Sequence, residues 1–187
     1  MKKFLVTVLI LALIGACGFF AYKAGYITML WDSVMNYADE INPSTITKEM
    51  YDGYLEDGKK MEFALSEDGS YYILTGNGEN ENKIKAIPAE YNGKPVKVIG
   101  AESIRYLDGA TIIIIPDSVV EIENYAFNTS YIYAKIFIPS SVITVGDTIC
   151  AQKNATFCIA NGTDMSGWSL NWNMYKSPVE YRDFKPQ

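Results

Sequence analysis

The chain has 187 residues and a formal net charge of −6; its first 23 residues hold three lysines and no acid, so the remainder sets 13 cations against 22 acids. An acidic body of this kind repels a phosphate backbone, which argues against nucleic acid as a partner. There is no histidine, which removes the commonest general base and metal ligand together and excludes Ser-His-Asp and Cys-His catalytic arrangements.

The N-terminus starts Met-Lys-Lys and then runs apolar from Phe4 to Ala21. At about 1.5 Å per residue that run spans roughly 27 Å, close to a hydrocarbon core of about 30 Å. The expectation for residues 1–22 is a signal anchor crossing a membrane once. Lys2 and Lys3 would hold the N-terminus in the cytoplasm and leave the rest outside. Two alternatives stay open. Ile14-Gly15-Ala16-Cys17 resembles a bacterial lipobox with Cys17 as the acylated residue, and Phe4–Ile14 also fits the core of a cleaved signal that releases a secreted chain. The anchor accounts best for Gly18-Phe19-Phe20-Ala21-Tyr22, which stays apolar past Cys17.

Residues 23–61 read as a helical stalk or linker. Met29, Leu30, Val34, Tyr37 and Ile41 recur at helical intervals, Asn42-Pro43-Ser44 breaks the pattern, and a second short helix follows Thr45. Residues 61–76 read as a β-hairpin turning at Ser66-Glu67-Asp68-Gly69, with Gly69 at the position that tolerates positive φ. The polar stretch at 77–83 offers Asn77, Glu79 and Glu81 in weak alternation, and a solvated turn accounts for it better than a Ca²⁺ loop.

From residue 94 the sequence repeats. Val96, Val119 and Val142 are 23 residues apart, as are Ile99, Ile122 and Val145, and Ile104, Phe127 and Cys150; Pro116 and Pro139 keep the interval. A fixed period in this range is the mark of a solenoid, whose short units bury their apolar clusters only by stacking. The fold class expected is a β-rich repeat solenoid of three to four units of about 23 residues. The hairpin, the stalk and the membrane helix precede it. The last stretch, "GWSLNWNMY", reads as a capping turn or short helix in which Trp168 and Trp172 plug the open end of the core, and "VEYRDF" as a final strand.

The segments "IIIPDSVVEIENYAF" and "IFIPSSVITVGDTIC" resemble the BspA-type leucine-rich repeats. "IPAEYNGKPVKVIGAESI" is similar to the unit that often opens such arrays. The resemblance covers residues 61–181 and assigns 62–187 to one repeat domain with an N-terminal hairpin and a C-terminal cap. Glu123, Ile149-Cys150 and Ala160 depart from the pattern. The resemblance implies display at a bacterial cell surface and, loosely, adhesion.

By the register the resemblance implies, Ile113/Ile115, Ile136/Ile138 and Phe157/Ile159 point inward. Strand alternation then turns Ile112, Ile114, Phe137 and Cys158 outward, with Tyr131 and Tyr133 just ahead of the second strand. An outward stripe of Ile112, Ile114, Tyr131, Tyr133 and Phe137 is either covered by the stalk, the hairpin or a sheet neighbour, or is a binding face. As a binding face it implies that Phe137→Ser leaves stability within about 1 kcal/mol. Cys150 and Cys158 fall on opposite faces, too far apart for the Cβ spacing of about 3.8 Å that a disulfide needs, so two thiols are expected.

No cofactor, metal or catalytic residue is indicated. The function expected is a membrane-tethered, extracytoplasmic repeat module that binds a protein or glycan by its strand face, with the membrane engaged through the N-terminal helix. The alternative is a structural or accessory subunit docked permanently onto an envelope partner.

Overall fold

The computed structural model describes residues 42–80, 82–105, 112–127, 134–151 and 155–187. The apolar run at 4–21, Cys17, Tyr131 and Tyr133 lie outside them. Among the described residues no helix is long and apolar enough to cross a membrane.

A single-turn 3-10 helix at Pro43–Thr45 leads into helix α1, Lys48–Gly58. Thr47 caps α1, its hydroxyl accepting from the Met50 N–H at 3.2 Å, and Glu49 complements the first-turn dipole. The helix ends at Gly58, where a Cβ would run into the Ala86 carbonyl oxygen. Strands β1 (Glu62–Leu65) and β2 (Tyr72–Gly76) form the expected antiparallel hairpin, with Gly69 in the turn at φ 70°.

The repeats then wind as a β-solenoid. One sheet collects β3 (Ile84–Ala86), β6 (Ile112–Ile114), β8 (Lys135–Ile138), β10 (Thr156–Ile159) and β11 (Val179–Tyr181), all parallel and in chain order. We call it the long-strand sheet. The second carries the hairpin, then β5 (Lys94–Ile99), β7 (Glu121–Ile122) and β9 (Thr144–Val145), with β4 (Glu90–Tyr91) flanking β5. A third ladder runs through Ile104, Phe127 and Cys150: Ile104 N–H donates to Ala126 O at 2.9 Å and Phe127 N–H to Ile149 O at 2.8 Å. Three turns per coil bring the chain back by one strand spacing. At the same corner of three successive coils Glu102, Tyr125 and Thr148 take positive φ, 53°, 56° and 49°.

The stretch read as a capping turn or short helix is a fourth coil. Trp168 stands 23 residues after Val145 and bridges to it in parallel, and Ile149 N–H donates to Trp172 O at 3.1 Å. Trp168 is buried in the main core and meets Trp172 at 5.1 Å between ring centroids. The final strand expected in "VEYRDF" is β11.

The inward residues are as the period implies. Ile99, Ile104, Ile113, Ile115, Val119, Ile122, Phe127, Ile136, Ile138, Val142, Val145, Phe157 and Ile159 form one continuous core. Residues 23–41 of the expected stalk lie outside the described residues; the described part needs correction. Residues 42–61 belong to the repeat body: α1 packs on β3, and Ile46 and Met61 are buried, in different clusters. Tyr51, Tyr54 and Leu55 make one side of α1 apolar, and that side is stabilised by covering the sheet rather than by facing water.

Candidate functional site

Ile112, Ile114, Phe137 and Cys158 do point away from the main core, but they are not exposed. They form a second buried cluster with Ile46, Ile84 and Ala86, covered by Tyr51, Tyr54 and Leu55 of α1 and by Phe184. Phe137 retains 3 % exposure; Phe184 meets it edge-on at 5.2 Å and Arg182 lies over its ring at 5.6 Å. The outward stripe is therefore a covered face and not an open binding surface. Its cover comes from both ends of the body. After β11 the chain turns back over the long-strand sheet, Phe184 wedges between Phe137 and Tyr51, and Gln187 docks on the lead-in to α1. Lys48 N–H donates to Gln187 O at 2.6 Å and Gln187 N–H to Ile46 O at 2.9 Å.

What the cover leaves open is a cleft of about 520 Å³ at the carboxyl ends of the long strands. Its floor is Ile114, Phe137 and Cys158. One wall is the pair of successive Ile-Pro corners, with Asp117, Ser118 and Ser140 following the prolines; the other is Tyr51 and the returning segment Arg182–Pro186. Parallel strands all end on the same side, so each coil adds one corner to this rim. The cleft mixes aromatic and aliphatic surface with Asp117 of one sign and Arg182 and Lys185 of the other. Tyr51 holds its proton more tightly than an ordinary phenol, first through burial and then through the carboxylates of Asp117 and Asp52. It meets a ligand as a hydroxyl donor and a ring face. The Ser118 hydroxyl oxygen has no hydrogen-bond partner. Cys158 on the floor is pushed up to about 11, by burial first and the Glu180 carboxylate second, which leaves it a protonated thiol and a poor nucleophile.

Cys150 lies in the main core and Cys158 in the second cluster, and no disulfide joins them. The sequence reading missed Tyr51, Asp117, Arg182 and Phe184. One signal was present: Tyr51, Tyr54 and Leu55 make an apolar helical stripe, and the strands carry an apolar outward row, so each face needed a cover.

No family model matches the chain, and no curated protein matches it. Among solved structures it is similar to the leucine-rich repeat protein of T. pallidum (TpLRR), at 17% identity over 55% of this chain and 69% of that chain, with a TM-score of 0.31. The solenoid description rests on the strand ladders above.

Proposed function

We propose that the chain is a non-enzymatic interaction module that receives an extended segment of a partner protein in the cleft between the Ile-Pro corners and the returning C-terminal segment. The observation that carries this reading is the composition of the cleft: one wall holds Tyr51 and Phe184 beside Arg182 and Lys185, the other holds Asp117, and the floor is apolar. Aromatic anchors with charges at the rim are the usual means of fixing a peptide's position and direction. The resemblance of the repeats to BspA-type units, together with the apolar run at 4–21, supports display on the outer side of a membrane, with adhesion as the finer reading.

The test is a photo-crosslinking residue placed in cells at Lys185 on the cleft wall or, as control, at Glu67 on the hairpin tip. Adducts to one partner are expected at 185 and not at 67. Asp117→Lys should reduce their yield at least about fivefold, since setting a like charge against a partner's cation costs more than about 1 kcal/mol. Equal adduct patterns at both positions would remove the cleft from consideration.

A further inference from the structure

The two ends of the solenoid are finished differently. At the first end the inward row of the long-strand sheet begins with Lys85, in register with Ile113, buried and donating to the Asn80 carbonyl. In this sheet the first end thus starts on a buried polar side chain, and α1 packs along β3. At the far end the same row finishes with Val179, in register with Phe157, and the next inward row finishes with Tyr181, in register with Ile159. Val179 and Tyr181 are core-facing positions, yet they are 37% and 66% exposed because no coil stacks beyond them. The terminal coil adds Leu170, fully exposed, and Met174 and Tyr175. Leu170 stands where the two preceding coils carry Asp147 and Asn124, each 23 residues earlier. Those two are polar rungs: Asn124 accepts from the Asp147 N–H at 2.7 Å, and Asp147 accepts from the Ser169 hydroxyl. The ladder is thus polar inside the array and apolar at its end, the reverse of the polar terminal unit that keeps a repeat array soluble.

Among the described residues, no strand pairs with the outer side of β11. Pro178 O accepts from Phe157 N–H and Arg182 N–H donates to Ile159 O, so the even-numbered residues bond to β10, and Val179 and Tyr181 turn their N–H and C=O groups outward. The chain beyond β11 folds back over the sheet, where Phe184 meets Phe137, and among the described residues nothing covers this edge.

We propose that β11 and the terminal coil form a two-fold interface with a second copy of this chain, through an antiparallel β11–β11 pair centred on Tyr181. The charges choose both occupant and register. Glu180 and Arg182 stand on one face of the strand, 3.5 Å apart. An antiparallel pair must match outward-bonding residues with each other, which within β11 allows centring on Val179, Glu180 or Tyr181; centring on Val179 sets Glu180 opposite Pro178, with no charge to meet it. Centring on Glu180 sets Glu180 against Glu180 of the other copy. Centring on Tyr181 sets each Glu180 against the other copy's Arg182, in the non-hydrogen-bonded sites where side chains come closest. The same register puts the exposed core ends side by side. A two-fold pair uses the same edge on both copies, so assembly stops at two. This inference does not rest on the cleft reading.

The experiment uses the full chain with Cys17→Ser, which leaves only the two buried thiols, Cys150 and Cys158, and a short bis-maleimide as the probe. Tyr181→Cys should give covalent dimer at least tenfold above Glu67→Cys, which stands at the hairpin tip and reports any proximity created by the N-terminal run alone. Adding Glu180→Arg should abolish the dimer, and adding Arg182→Glu to that variant should restore it, because the pairs are then reversed. Leu170→Asp, at a side chain that touches nothing in the monomer's core, should reduce the dimer with no change in the melt. Dimer at position 181 no higher than at 67, dimer indifferent to Glu180→Arg or to Leu170→Asp, or no recovery in the charge-reversed pair would overturn the proposal. Adducts at 181 only to some other polypeptide would overturn it equally.

Discussion

Asp68 fastens the hairpin turn to itself. Its carboxylate accepts from the Ser66 hydroxyl at 2.7 Å, the Ser70 N–H at 3.0 Å and the Ser70 hydroxyl at 2.8 Å. These donors, the Ser66 hydroxyl foremost, hold the carboxyl down to about 2 against an ordinary 3.8. A carboxyl with a depressed folded value adds stability that is complete above the unfolded value and fades as pH falls towards the folded one. Protection of the Ser70 amide, taken relative to its intrinsic exchange rate at each pH, should therefore hold from neutral pH to about 4 and fall between about 4 and 2; Asp68→Asn should flatten that step. Cys158 illustrates the opposite direction. With its thiol near 11 and no exposed surface, it should resist iodoacetamide at pH 8 in the folded Cys17→Ser chain and label fully in urea, as read by peptide mass. Labelling of the native protein would mean that Phe184 does not keep the second cluster closed.

At the scale of the elements the two cores were unequally legible. The inward rows were open to reading because Val96, Val119 and Val142, and their partners at Ile99 and Ile104, recur at one period and strand alternation fixes the rest. Phe127→Ala should cost about 3–5 kcal/mol in urea unfolding, with Phe127 wholly buried and bridged to Cys150. The outward row is legible as apolar and the stalk as one possible cover, but the choice of the stalk and the part of Phe184 were not readable, since Tyr51 and Phe184 lie far from the row in sequence and neither belongs to a repeat. Phe137→Ser accordingly belongs with the core substitutions. A loss of about 3 kcal/mol or more is expected, not the near-neutral change an open face implies. The cleft was illegible for a similar reason: Asp117 and Arg182 are single surface charges, and only the folding-back of the chain after β11 sets them on facing walls. Gly58 tests the helix cover directly. Gly58→Ala places a methyl group against the Ala86 carbonyl, backbone that cannot swing aside, and should cost about 1–3 kcal/mol as α1 lifts from β3.

Across the whole molecule, the segment from Arg182 to Gln187 crosses from one edge of the long-strand sheet towards the other and ends on Ile46 and Lys48. Deleting residues 184–187 should raise binding of a hydrophobic dye and speed amide exchange in α1 while the inward ladders keep their protection. Uniform loss of protection would mean that the second cluster holds the whole body together. The junction of Gln187 with Ile46 has a further consequence for how the fold comes apart. An open stack of coils can fray from its ends, losing one coil at a time, and its melting is then gradual. Here the coil at one end is tied to the helix at the other, so neither can fray without releasing its counterpart. The body should melt in one all-or-none step, with calorimetric and van't Hoff enthalpies equal, although its architecture is that of a chain of separable links.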